Sequence, residues 1–209
     1  MVLQEINQAL QRGDVNGVTQ GIKSALEQGL EPRQILNEGL LAAMEVIGIK
    51  FKNNEVFVPE VLIAARAMNA GMQVLKPRLI ETGVEPIGTV VLGTVKGDLH
   101  DIGKNLVRMM FEGSGLTVHD LGVDVSAERF VEAIKEYKPQ IVGMSALLTT
   151  TMGEMKATIE AIKAAGLRDQ VKIMVGGAPV TAKFAQEVGA DVYAKDAAEA
   201  AFEAKKLVY

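Results

Sequence analysis

Apolar residues recur at helical spacing through the first third of the chain. Leu3, Ile6, Ala9 and Leu10 mark one amphipathic segment. Asp14 is a good N-cap for a second, running from Val15 to about Glu27 and closed by Gly29. A third starts near Pro32, whose fixed φ suits a first helical turn, and carries Ile35, Leu36, Leu40, Leu41, Met44, Val46, Ile47 and Ile49. The fourth runs from Pro59 to about Leu75, with Val61, Leu62, Ala65, Met68, Met72 and Leu75 on its apolar side. Strand signal is almost absent here, so residues 1–80 are expected to form an antiparallel four-helix bundle. The stretch 76–87, KPRLIETGVEPI, holds two prolines and a glycine and reads as a linker.

From Gly88 short β-rich runs alternate with amphipathic helices. Strands are expected at 88–94, 116–122, 140–144, 171–175 and 191–193, and helices at 102–114, 126–137, 152–166, 180–188 and 196–206. That alternation predicts a Rossmann-like (flavodoxin-like) α/β domain over 88–209, its five-stranded parallel sheet covered on both faces. Ligands in such domains sit beyond the carboxyl ends of the strands.

Composition narrows the chemistry more than the fold. The 209 residues are 48% hydrophobic and 23% charged, which is ordinary for a globular protein of one or two domains. A formal net charge of -4 gives no support for nucleic-acid binding. The absence of cysteine excludes disulfides, thiolate metal sites and cysteine nucleophiles. The N-terminus does not read as a signal peptide, and no run of eighteen apolar residues occurs. A soluble cytoplasmic protein that contacts no membrane is the expectation.

The most informative stretch is Gly93 to Leu106, GTVKGDLHDIGKNL, between the first strand and first helix of the α/β domain. Asp98 and His100 lie two residues apart, and Gly103 follows three later. An aspartate so placed can accept one ring N–H of the histidine and fix its tautomer, leaving the other nitrogen as a neutral donor for a metal. Gly103 would let a flat, bulky group approach the backbone. The other histidine, His119, falls inside an expected strand without ligand-type neighbours. If His100 binds a metal, the remaining ligands therefore come from elsewhere, and a macrocycle with four equatorial nitrogens would supply them. Taken alone, such a pair is more often an ordinary surface loop in which a histidine meets an acid.

The run Asp98-Leu99-His100-Asp101-Ile102-Gly103 resembles the D-x-H-x-x-G signature of cobalamin-binding domains, in which a protein histidine replaces the cofactor's own lower base. Two later segments are similar as well, Val142–Thr151 (VGMSALLTTT) and Val175–Pro179 (VGGAP), both at expected strand ends. The resemblance implies base-off, histidine-ligated cobalamin or a related corrinoid such as methylcobalamin, with His100 as the cobalt ligand and Asp98 and Thr151 completing its relay. It further implies contacts from Gly97, Leu99, Asp101, Ile102, Gly103, Leu147 and Thr149. Ser145 would touch the displaced nucleotide tail, and Gly143, Gly176 and Gly177 would line its slot.

The likeness extends into the helical region. Methyl-transferring members of the family carry a four-helix cap over the corrin, and Phe51 to Glu60 (FKNNEVFVPE) resembles its contact segment, with Phe51 and Val58 at the matching positions. No barrel for substrate or acceptor remains within the chain, which instead resembles the stand-alone corrinoid proteins of methanogens and acetogens. That implies a methyl carrier, not a complete catalyst, between a substrate-specific methyltransferase and an acceptor methyltransferase using tetrahydrofolate or coenzyme M. A reductive activase is a further expected partner. Methanol, methylamines, betaines and methoxylated aromatics remain open as donors, as does the oligomeric state. A mutase subunit would need no cap, a corrinoid regulator would add a DNA-binding domain, and a phosphoacceptor domain would need an acidic cluster at the first strand end.

Overall fold

A computed structural model of the chain describes residues 1–208. Its backbone divides into two compact units, one of Met1–Pro86 with Gly113–Gly115, the other of Ile87–Glu112 with the described chain from Leu116 onward.

The first unit is helical. Helix α1 spans Val2–Gln11 and α2 Val15–Glu27, the latter capped by the Asp14 carboxylate on the Gly17 N–H at 2.9 Å. The third helical segment is continuous but changes its winding: α3 (Pro32–Gln34) passes through a π-helical stretch, Ile35–Leu41, into α4 (Ala42–Lys52). Helix α5 follows at Val58–Glu81. The expected stripes form the core, with Ile6, Leu10, Val18, Ile22, Ile35, Leu40, Ile47, Val61, Met68 and Leu75 all buried. Gly71 lets α5 lie close on α2, since an added Cβ there would meet Val18 Cγ1 at 2.8 Å.

The expected linker at 76–87 is corrected by this helix. It continues through Lys76 and Pro77 to Glu81, because buried Leu79 extends the apolar stripe by one more turn beyond Leu75. The helix ends at Thr82 and Gly83, the latter at φ +67°.

The second unit alternates strand and helix: β1 (Gly88–Thr94), α6 (Ile102–Gly113), β2 (Leu116–Asp120), α7 (Ala127–Tyr137), β3 (Ile141–Ser145), α8 (Met152–Ala164), β4 (Lys172–Gly176), α9 (Ala182–Val188), β5 (Val192–Ala194) and α10 (Ala197–Val208). All strands are parallel, in the order β2-β1-β3-β4-β5. This is the doubly wound flavodoxin-like order expected, with its switch point between β1 and β3. Strand β2 is shorter than the expected 116–122, as Gly122 (φ +87°) and Asp124 (φ +53°) turn the chain away. One face of the sheet packs Val91, Val142, Met144, Ile173 and Val175 against Phe130, Ile134, Met155, Ile159 and Ile162 of α7 and α8. No described helix is long and apolar enough to cross a membrane.

Candidate functional site

Strands β1 and β3 lie side by side, with Thr94 opposite Ser145 in register. The loops that leave their carboxyl ends therefore start next to each other, and they meet at the Asp98 carboxylate. Asp98 is fully buried and accepts five hydrogen bonds. On Oδ1 it receives the His100 main-chain N–H at 3.1 Å and His100 Nδ1 at 2.7 Å. On Oδ2 it receives the N–H groups of Leu147 (2.7 Å) and Leu148 (3.2 Å) and the Thr151 hydroxyl (2.7 Å). Burial works against ionisation of this carboxyl, but the donors from Leu147, Thr151 and His100 prevail and hold it well below the usual carboxylate range.

An ionised carboxylate only accepts, so His100 Nδ1 carries the proton it shares with Asp98. In the neutral ring Nε2 is then an unprotonated lone-pair donor, and no protein group among the described residues engages it. The His100 side chain is half exposed, whereas its carboxylate partner is inaccessible. Thr151 has one hydroxyl proton and two acceptors, Asp98 Oδ2 and the Leu148 carbonyl at 2.9 Å. Asp98, His100 and Thr151 thus form one connected triad across two loops.

The surroundings favour a flat apolar ligand. Leu99 and Ile102 flank His100 with 71% and 82% of their surfaces exposed, and Leu147 and Leu148 expose 43% and 41%. An added Cβ on Gly103 would meet nothing within 4 Å, so no protein packing at that spot calls for a glycine. No cluster of three or more His, Cys, Asp or Glu side chains suited to a metal occurs among the described residues. A metal at His100 would draw one ligand from this protein and the rest from its own macrocycle. Those features fit a corrinoid, whose ring supplies the equatorial nitrogens.

The remaining expected residues are less uniform. Thr94, Ser145 and Gly176 form a row across β1, β3 and β4, with Gly143 on the same face one step back. Side chains at either glycine would crowd their neighbours, Leu92 Cδ1 at 2.8 Å from a Cβ on Gly143 and the Ala194 carbonyl at 2.9 Å from one on Gly176. Gly177, at φ +127°, has a reason within the protein, because a Cβ there would overlap the Ala146 carbonyl. Asp101 and Thr149 are exposed loop residues, and Asp101 accepts from Asn105 Nδ2 at 3.0 Å. In the helical unit Phe51 is partly buried near the end of α4, and Val58, the first residue of α5, is 38% exposed.

Four further residues frame the loop. Asp124 accepts the Gly97 N–H at 2.7 Å and returns its own N–H to the Asp98 carbonyl at 3.0 Å. Lys104, in the first turn of α6, is buried and places Nζ 2.6 Å from both oxygens of Asp120. Its signal in the sequence was a lysine on an apolar stripe with Val107 and Phe111, opposite an acid at a strand end. Thr94 bonds the His100 carbonyl. No local pattern marks Asp124 or Thr94, whose partners are set by the tertiary fold. His119, set aside as a ligand, stacks on Tyr137 with centroids 3.8 Å apart.

Comparison with known proteins points to the same class of cofactor. Two family models described as "B12 binding domain" match residues 88–205 and residues 2–76. A dimethylamine corrinoid protein of Methanosarcina mazei is 42% identical over 99% of this chain and 96% of its own length. A trimethylamine corrinoid protein of Methanosarcina acetivorans is 47% identical over 85% of this chain and 83% of its own length. Among solved structures, the methanol:cobalamin methyltransferase complex MtaBC from Methanosarcina barkeri matches with a TM-score of 0.89 and 31% identity, over 99% of this chain and 79% of that one.

Proposed function

This chain belongs to the B12-binding corrinoid proteins, carriers that work between a substrate methyltransferase and an acceptor methyltransferase, and we propose that His100 is its cobalt ligand and methylated amines its methyl source. The observation that carries the first part is the pose of His100. Asp98 holds Nδ1 as a donor and frees Nε2. The amine preference rests on sequence identity to dimethylamine and trimethylamine corrinoid proteins, which exceeds that to the methanol system.

When bound, the corrinoid supplies a cobalt centre that accepts and releases a methyl group. The protein's own residues do the rest. Asp98 keeps the imidazole in one tautomer, and Thr151 holds Asp98 in turn, so the ligand's basicity is set through its second nitrogen. Leu99, Ile102, Leu147 and Leu148 offer an apolar bed, and Gly103 leaves the approach open. Gly143, Ser145 and Gly176 are the proposed lining for the nucleotide tail of a base-off cofactor. Phe51 and Val58 of the helical unit are further proposed cofactor contacts. A reductive activase is the third proposed partner.

The test is spectroscopic. The absorption spectrum of methylcobalamin bound to His100→Ala should shift from that of the wild type to that of a corrinoid without a nitrogen ligand. An unchanged spectrum refutes the axial assignment. Methyl uptake assayed with partner methyltransferases for trimethylamine, dimethylamine and methanol decides the donor, and a response to methanol alone would overturn the amine reading.

A further inference from the structure

An axial ligand is useful only if its donor atom is held within about 0.5 Å of its working position. For a histidine in a loop, orienting the ring is half of that task, because the main chain carrying the ring must be fixed too. Asp98 handles the ring and the His100 N–H. The opposite side of the His100 main chain, its carbonyl, is taken by the Thr94 hydroxyl at 2.9 Å.

Thr94 is unusual in its setting. It is the last residue of β1, is fully buried, and is one of few buried polar side chains among the described residues. Its main-chain groups are already used, the N–H by the Gly122 carbonyl and the carbonyl by the Val125 N–H, each at 3.0 Å. Pairing with Ser145 of β3 on one side and the bonds to Gly122 and Val125 on the other hold that strand end in place. The hydroxyl therefore has one outlet, and it points at the ligand residue. Valine has nearly the same shape and buries no polar atom, so packing alone would favour it here. A threonine makes sense only for its proton.

We infer that Thr94 is a positioning residue for the axial ligand, clamping the His100 backbone to the sheet while Asp98 clamps its ring; this rests on His100 being that ligand. Without the hydroxyl the carbonyl swings free, and the ring has to be reordered each time the metal is engaged. One hydrogen bond of this kind corresponds to about five- to tenfold in the population of the competent pose.

A double-mutant cycle separates this role from simple stability. Methylcobalamin affinity is read by absorbance titration for the wild type, Thr94→Val, His100→Ala and the double variant, with thermal melting of each apoprotein as a folding control. Thr94→Val should weaken binding about five- to tenfold in the wild-type background and less than about twofold in the His100→Ala background. Thr94→Ser, which keeps the hydroxyl, should bind like the wild type even if its melting temperature falls. Thr94→Ala, which also lacks the hydroxyl, takes the place of the valine variant in the cycle should that one fail to fold. Equal losses in both backgrounds, no loss in Thr94→Val, or a Thr94→Ser as weak as Thr94→Val would overturn the inference. If His100→Ala leaves the bound spectrum unchanged, the axial reading itself is wrong and the role of Thr94 falls with it.

Discussion

Replacing Asp98 by asparagine exchanges a five-fold acceptor for a group with one acceptor oxygen and two N–H donors. The cheapest arrangement keeps the amide oxygen on Leu147, Leu148 and Thr151 and turns the NH2 toward His100. Three charge-assisted bonds become neutral, at roughly 1 kcal/mol each, and the His100 main-chain N–H loses its acceptor. A loss of about 4 kcal/mol in apoprotein stability at pH 7 follows. The ring adapts by accepting at Nδ1, which moves its proton to Nε2 and abolishes the metal donor.

The pH dependence supplies an internal check. The carboxyl of Asp98 is depressed in the folded protein relative to the unfolded chain, so its stabilisation is complete above the unfolded value near 4 and is lost progressively as pH falls below it. The asparagine variant has nothing to titrate there. The stability gap between the two proteins should narrow by about 1 kcal/mol between pH 7 and pH 3. Urea denaturation of both apoproteins, followed by far-ultraviolet circular dichroism across that range, measures it. A gap that stays constant to pH 3, or equal stabilities at pH 7, would refute the hydrogen-bond accounting.

Two other substitutions test the frame around the site. Gly177→Ala forces a Cβ into the Ala146 carbonyl at an unfavourable φ, so it should cost more than about 3 kcal/mol in apoprotein stability, read as a lower urea midpoint. Lys104→Met leaves Asp120 without its closest cation, with Arg108 3.7 Å away and only partly compensating; about 2–4 kcal/mol should be lost, and Lys104→Met paired with Asp120→Leu should recover most of it in the same measurement.

Much of this was legible in the chain because period and punctuation agreed. Every expected strand and helix of the α/β unit appears within a few residues of its place, since strands buried on both faces and capped helices leave strong local signals. The helical end at Leu75 was misjudged for an equally physical reason. Pro77 is a valid stop signal locally, but burial of Leu79 outweighs it. The π-helical stretch Ile35–Leu41 left no trace in the apolar spacing, because a single widened turn does not alter which residues are apolar. At the site, Asp98 and His100 were visible as neighbours. Thr94, Lys104, Asp120 and Asp124 were not singled out, since each earns its role from a partner that only the fold brings near.

The bonds that join Asp98 to Leu147, Leu148 and Thr151 span 49, 50 and 53 residues of chain. Contacts of such range are closed late, after loop entropy has been overcome by the pairing of β1 with β3. Before that pairing the Asp98 carboxylate that orients His100 lacks its three donors from the second loop. Readiness to receive a cofactor is therefore a certificate of completed folding, and a chain whose sheet has not assembled presents no oriented imidazole to compete for a scarce corrinoid.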